Sequence, residues 1–525
     1  GQGLWSLLFS GIFFLCPFIF AAENTPHRTH PFDTGEEFAV QNEIDTLLRE
    51  SLQRRRIVPA GRCSDAVFIR RVYLDATGTL PAAAEVKTFL AEKGTDKRKK
   101  LIDKLLEHQD FTDFQTMRWC DLLRVKSEFP INLWPNGAVC YYQWIHRSVA
   151  ENKPYDHFVR ELLTASGSNF RDGAVNFYRA VPAKDAGTLA ETVARTFLGA
   201  DILSWSDEKQ KQLAVFFSRI GYKETAQWKE EIVYWDRKPP DSETVVFPDG
   251  TQARLAPDSD PRCAFADWLL SPKNEDFHRT AVNRIWTWLF GSGLIPDPED
   301  SKTPVPPAHQ ELIRYLCSEL VKSKYDLKHL YRLILNSGAY QQSSIPTAPQ
   351  PDAAALFAAY PVRRIEAEVL QDVLAQIFDL PVGYVSEVPE PFTYIPRRTR
   401  TVLLPDAGIT SSFLEMFGRS SRDTGTESDR NNNVTESQQL FFLNSTEVNQ
   451  WVSRYVQQYR NIPRRTDGLR KIQDELWLTF LSRYPTEKEQ QIIAEEFRRT
   501  DKQVLQKLQD TAWSLLNTKE FLCKH

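Results

Sequence analysis

The sequence predicts a mainly α, multi-helical protein: two α-helical domains with a small β hairpin near residues 243–255. Three observations carry this. Apolar residues recur at helical spacing, i, i+3 and i+4, along most of the chain. At 525 residues the chain exceeds one ordinary core and divides into domains. One stretch breaks the helical texture: ETVVFPDGTQAR, residues 243–254, offers short β-rich runs around Asp249-Gly250, a hairpin signal, with Pro248 confining it to an edge. The expected organisation is a signal peptide at 1–22, a linker at 23–42 and an N-terminal helical domain at 43–235. The hairpin segment follows at 236–260, and a C-terminal helical domain at 261–525.

Taken in order, the first helix carries Ile44, Leu47, Leu48 and Leu52 on one side and Arg49, Arg54 and Arg55 on the other. A second holds Phe68, Ile69, Val72 and Tyr73 and stops at Gly78; Pro81 opens the next, with Val86, Phe89 and Leu90. Residues 97–107 continue through Leu101, Ile102, Leu105 and Leu106. Residues 111–125 are aromatic-rich, and helices follow at 141–149, from Phe158 to Leu163, and at 189–198. Residues 207–221 read as helical through Leu213, Phe216, Phe217 and Ile220. Beyond the hairpin, TAVNRIWTWLF at 280–290 presents Val282, Ile285, Trp286 and Leu289, with Asn283 and Arg284 as polar interruptions. Amphipathic helices follow at 311–321 and 328–336. Residues 362–377 read as one long helix on which Arg364, Glu368 and Asp372 share a face. Residues 380–405 are Pro-rich, with a basic knot at Arg397, Arg398 and Arg400. Helices are expected at 434–459, 467–483 and 502–516, with a capping box at Thr486 and Glu489.

Composition is globular: 42% hydrophobic and 26% charged. A net charge of −4 argues against a nucleic-acid partner. Thirteen Trp residues imply large buried anchors or stacking platforms in a groove. Residues 4–20 are almost wholly apolar and end in Ala21-Ala22, which fits a secretory signal and an exported, periplasmic or cell-surface protein. The competing reading is an uncleaved anchor, the sole membrane contact expected. Seven cysteines are widely spaced without CxxC, so zinc and haem spacings are missing; if Cys16 leaves with the signal, the remaining six allow fifteen disulfide pairings. Nine His residues show no HExxH, so no metal site is expected, and neither a G-x-S-x-G elbow nor a Gly-rich phosphate loop occurs.

The densest chemistry lies in FLEMFGRSSRDTGTESDR, residues 413–430, where an apolar turn runs into alternating Arg, Asp and Glu punctuated by Gly418 and Gly425. Guanidinium forks match carboxylate, sulfate and phosphate oxygens, so Arg419 and Arg422, with Arg364, Asn283 and Arg284, are the candidate binding residues for an anionic group. The plainer reading is a surface loop with exposed ion pairs. Glu368 and Asp423 are the candidate catalytic carboxylates, since glycan cleavage uses two carboxyls at a set separation; Glu366 and Asp372 are neighbours with the same chemistry. Asp75, at a helix end, reads as a cap or a partner of Arg70 or Arg71.

Several segments carry a resemblance: RRVYLDATGTLP (70–81), ENKPYDHF (151–158), RTFLG (195–199), TAVNRIW (280–286), PVRRIEAE (361–368), FGRSSRD (417–423) and LLNTKEF (515–521). With them the chain resembles a family of exported bacterial proteins built from two adjoining domains of unknown function. These are the planctomycete cytochrome-type domain, second kind, followed by planctomycete-specific domain one. The resemblance implies a tie to systems degrading sulfated polysaccharides. It also implies a haem-like Cys-x-x-Cys-His stretch after Phe-Leu-Gly, but here FLGADILSW (197–205) runs on without it. Cysteines expected after Arg-Asp-Thr are replaced by GTESDR (425–430), so no cofactor is expected. The function expected first is a binding or scaffold component for an anionic glycan or a glycan-degrading enzyme. The alternatives are a carbohydrate hydrolase in an Arg-lined pocket and, disfavoured, electron transfer.

Overall fold

The structure, a computed structural model, describes residues 31–238, 244–296, 303–461, 466–498 and 503–525. The expected signal segment, with Cys16, His27 and His30, lies outside the described residues, as does Glu243 at the hairpin's start. The protein is mainly α. Helices Glu43–Arg54, Asp65–Ala76, Ala83–Ala91, Lys97–Leu106, Gln109–Leu122, Pro135–Ala150 and Tyr155–Thr164 follow one another with short turns. Helix starts are chemically marked: Asn42 and Ser64 cap the first two of these, and Asp185 caps a later helix, Ala186–Val193, each with a side-chain oxygen. Among the described residues no helix is long and apolar enough to cross a membrane.

Two apolar cores form. The first gathers buried side chains from Ile44 through Tyr360 and takes Leu478 from the C-terminal part. The second gathers Ile365 through Phe521 and is completed from the first half by Leu74, Leu80, Phe114 and Met117. The first core runs straight through residues 244–255: Val245, Phe247 and Leu255 are buried in it, and Phe247 stacks on Phe216 and Trp268 with ring centres 5.1 and 5.5 Å apart.

The hairpin forms where the sequence predicts it: Thr244–Val246 pairs antiparallel with Gln252–Arg254. Three local expectations are corrected. The helix expected over 207–221 ends at Val215, and Ile220–Glu224 is a strand. That strand pairs with Glu231–Trp235, which also takes Gly167–Ser168, in a three-stranded antiparallel sheet. The β-branched and aromatic run Ile232, Val233, Tyr234 and Trp235 is the signal that marks it. The helix expected over 434–459 is broken at Ser445, whose hydroxyl accepts the amides of Glu447 and Val448 and starts a second helix.

The third correction bears on the site. Residues 362–377 are not one helix: Arg363–Arg364 is a short strand paired with Cys523–Lys524, and the helix begins only at Ala367. Tertiary pairing overrides local helix propensity here. Arg364 therefore does not lie one helical turn before Glu368, although Glu368 and Asp372 do share the helix Ala367–Phe378.

Candidate functional site

The 413–430 stretch folds as a short helix, Ser412–Met416, followed by an irregular loop pressed into the seam between the cores. Two glycines allow the approach. Gly418 and Gly425 take φ of +71° and +72°, and a Cβ on either would meet the Asn431 or Leu122 carbonyl oxygen at 2.0 and 2.4 Å.

That approach closes a buried ionic network. Glu368, in the first turn of its helix, is fully buried. Arg430 grips it with both terminal nitrogens, Nη1 to Oε2 at 2.6 Å and Nη2 to Oε1 at 2.9 Å. Arg419 Nε lies 3.4 Å from Oε1. Arg430 Nη2 also reaches Asp121 Oδ2 at 2.6 Å, and Arg422 Nε donates to Asp121 Oδ1 at 2.8 Å. Burial raises the Asp121 carboxyl, but Arg430 and Arg422 outweigh it and hold the group below the usual carboxylate range. Three guanidinia face two carboxylates. The excess is absorbed by backbone: Arg419 donates to the Ile409 and Asp406 carbonyls, and Arg422 to those of Val125 and Pro405.

The expected binding residues and the expected catalytic carboxylates, Glu368 and Asp423, therefore separate. Arg419, Arg422 and Glu368 meet, with Asp121 and Arg430 as members the sequence reading missed. Arg364 abuts the same loop, donating to the Phe417, Asn431 and Asn432 carbonyls, with its guanidinium over the Phe417 ring. Arg284 lies elsewhere, donating to the Thr196 carbonyl at 3.0 Å. Asn283 clasps the backbone of Ile295 through both amide atoms. Asp423 turns away to Lys126, Oδ1 to Nζ at 2.6 Å. These guanidinium groups hold the protein's own oxygens, while Arg284 Nη1, Arg419 Nε and Arg422 Nη2 are buried without a hydrogen-bond partner. Both Glu368 oxygens are engaged by guanidinium groups.

A second buried network ties the halves together. Asp75 is fully buried and accepts hydrogen bonds from Tyr340 and Tyr360 hydroxyls, each at 2.8 Å, and from Arg363 Nη2 at 2.6 Å. Lys524 Nζ stands 3.1 Å from Asp75 and 2.7 Å from Glu366, which also faces Arg118 at 3.4 Å. Burial would raise Asp75 and Glu366; Arg363 and Lys524 for the first, and Lys524 and Arg118 for the second, hold both below the ordinary range. Asp75 is thus an ion-pair partner, but of Arg363 and Lys524. Arg70 and Arg71 instead donate to backbone carbonyls of Phe480, Phe521, Tyr340, Gln342 and His525.

The open concavity lies beside these networks. A cleft of about 440 Å³ separates the helices around Tyr73, Glu85, Lys104 and Asp110 from Asp372, Gln376 and the 379–400 segment. Its charges are already matched across or along the wall: Lys104 to Glu85 at 3.0 Å, Arg398 to Asp379 at 2.5 Å, and Arg400 to Asp110 at 2.5 Å. At the floor Asp372 accepts the Thr401 and Val402 amides, with Arg400 Nε 3.6 Å away. Burial pushes the Asp372 carboxyl up to about 6, against Arg400 and the two amides. Tyr73, Thr77, Thr79, Thr399 and His108 also line it, together with apolar Leu80, Leu105, Ala375, Leu380 and Val382.

Residues 43–232 match the family described as PSCyt2, protein of unknown function (DUF1549). Residues 261–497 match that described as PSD1, protein of unknown function (DUF1553), in the order the resemblance implies. The chain belongs to this two-domain family. No curated protein and no solved structure matches it. The seam between the two cores of this family member, after Tyr360, falls inside the PSD1 match. Among the described residues no group of three or more His, Cys, Asp or Glu side chains is placed to hold a metal ion, and all six described cysteines are free thiols.

Proposed function

We propose that this family member is an exported, non-catalytic binding component for polysaccharide, and that the cleft between Glu85 and Arg400 receives a sugar segment. One observation carries the reading: the cleft's cations and anions are already paired, so it presents fixed donors and acceptors with little net field. A polyhydroxylated ligand, each hydroxyl both donor and acceptor, satisfies such a lining without breaking a pair. A polyanion would have to displace Glu85, Asp110 or Asp379. The volume suits one or two sugar rings. Export rests on the apolar residues 4–20.

Hydrolysis is the second reading, favoured by Asp372 titrating near 6 beside Asp110 and Glu85. Against it, both Asp372 oxygens are bound to backbone amides, as a cap of the turn Thr401–Leu403. Calorimetric titration with neutral, uronic and sulfated oligosaccharides tests the proposal. Binding is expected, at least tenfold weaker in Lys104→Ala with Gln376→Ala. A panel without a binder, or full affinity in that double variant, removes the cleft reading. New reducing ends that vanish in Asp372→Asn would establish hydrolysis instead.

A further inference from the structure

Three loops from distant parts of the chain bring aromatic rings together at the surface. Trp134 and Trp228 meet edge to face, ring centres 4.7 Å apart and planes at 71°. Phe392 closes the group, 5.2 Å from Trp134 and 6.5 Å from Trp228. Mutual contact does not bury them: Trp228 remains 66% exposed and Phe392 44%, with Tyr394 at 63% and Phe129 at 81% on the same loops. So much aromatic area left in water marks an interaction surface rather than a core.

The frame beneath is fixed. Glu230 accepts hydrogen bonds from Ser168 and Thr225, and Asn169 donates to the Lys229 carbonyl, bracing the turn that carries Trp228. Glu128 Oε1 accepts the Ser386 hydroxyl and the Glu387 amide, tying the Trp134 loop to the segment that carries Phe392. Three non-glycine residues here hold left-handed backbone, Asn132 at φ +60°, Trp134 at +61° and Lys229 at +63°. Such strain persists only where surrounding structure enforces it, and it clusters at functional sites. A cation stands at the rings: Lys229 Nζ is 5.6 Å from the Trp134 ring centre and 5.7 Å from that of Trp228. Among the described residues it makes no ion pair. Arg171, nearby and weakly held on Glu230 at 3.8 Å, adds positive charge.

We propose that this aromatic corner docks a strand of anionic polysaccharide, the indole and phenyl rings packing on the C–H faces of sugar rings and Lys229 meeting a sulfate or carboxylate substituent. The proposal rests on the polysaccharide-binding reading above but concerns a separate surface from the cleft. Apolar ring faces alternating with anionic groups are the pattern that exposed indoles flanked by an unengaged ammonium complement. Nucleic acid would use the same stacking and cation, and an oligo-dT arm of the test separates it from a sugar polymer.

The test is affinity electrophoresis of the full chain in gels holding dextran sulfate or unsulfated dextran, with Trp228→Ala, Phe392→Ala, Lys229→Gln and the cleft variant Lys104→Ala. Trp228 and Phe392 are exposed enough for removal to leave the fold intact, which circular dichroism verifies. Retardation by dextran sulfate is expected, weaker with dextran. It should fall at least tenfold in Trp228→Ala and in Phe392→Ala. Lys229→Gln should lose the preference for the sulfated polymer while keeping the response to dextran. Oligosaccharide titration into the cleft should be unchanged in Trp228→Ala and in Phe392→Ala, neither of which lines it. Unchanged retention in both aromatic variants overturns the proposal, as does tighter binding of oligo-dT or anionic phospholipid vesicles at the same residues. Loss of retention in Lys104→Ala alone assigns the polymer to the cleft, whereas no retention by either polymer, together with no oligosaccharide titrating into the cleft, removes both readings.

Discussion

Replacing Arg430 with Ala separates a structural network from a surface loop. Arg430 bridges Glu368 and Asp121 through three hydrogen bonds of 2.6–2.9 Å, and its side chain is only 11% exposed against 1% for Glu368. Were these exposed pairs, each would contribute about 0–1 kcal/mol. Removal here strands Glu368, whose remaining cation, Arg419, stands at 3.4 Å. A buried charge left so poorly matched costs about 3–5 kcal/mol, a large share of the ~5–15 kcal/mol that holds a domain folded. Glu368→Gln keeps the volume and one acceptor while Arg430 retains Asp121, so its expected cost is smaller, about 1.5–3 kcal/mol. In the double variant the second loss should add little, giving a coupling of about 1–3 kcal/mol. Urea unfolding followed by far-UV circular dichroism at pH 7 gives all three numbers. An Arg430→Ala cost under about 1 kcal/mol, or costs that simply add, would refute the placement of this loop in the interior.

Lys524→Met should destabilise by about 3–5 kcal/mol at pH 7, because Asp75 and Glu366 lose a shared cation. Both carboxyls are held below their ordinary range, so their contribution is complete above the unfolded value and is lost as pH falls through the folded one. Without Lys524 they take up protons more readily, so the gap between variant and wild type should shrink in urea curves at pH 4.5; a constant gap would contradict the ionic account. A ¹³C titration of the Asp372 carboxyl should show a midpoint near 6, where burial has pushed it, and a higher one in Arg400→Ala, since Arg400 favours the charged form. Its folded value lies above the ordinary one, so its ionisation opposes folding as pH rises through 6, and Asp372→Asn should flatten the stability profile there. Thiol labelling of native protein should modify the exposed Cys263 first, while Cys63 and Cys120 react only on unfolding, the latter with a thiol raised by burial to about 12. Recovery of a disulfide among these residues would overturn the free-thiol assignment.

The helical class, the hairpin and most helix positions were legible because apolar periodicity and caps are local signals. The register of Arg363–Arg364 was not, since its partner, Cys523–Lys524, lies at the other end of the second core and no local pattern announces it. The 413–430 loop announced its charges but not their depth. Alternating Arg and Asp look the same in sequence whether they face water or Glu368, and what decides is the approach of Gly418 and Gly425 to neighbouring backbone. Asp121 was hidden for a related reason: it sits within the aromatic-rich helix Gln109–Leu122, and its partners come from Arg422 and Arg430 across the seam. The cleft escaped notice because its walls, Glu85 to Asp110 and Asp372 to Arg400, are ordinary polar stretches that the fold alone sets face to face.

Arg70 donates to the backbone of Phe521, 451 positions further along the chain. During synthesis at about 5–20 residues per second, that partner emerges roughly 20–90 s after the arginine. For that interval Arg70 and Asp75 lack their late-arriving partners, so the first core cannot seal over them dry. The helix Asp65–Ala76 must wait in a hydrated state for the last segment to thread home. Growth of this polypeptide therefore leaves that helix unlatched until residues 480–525 have emerged, a window in which a holding chaperone can still engage it.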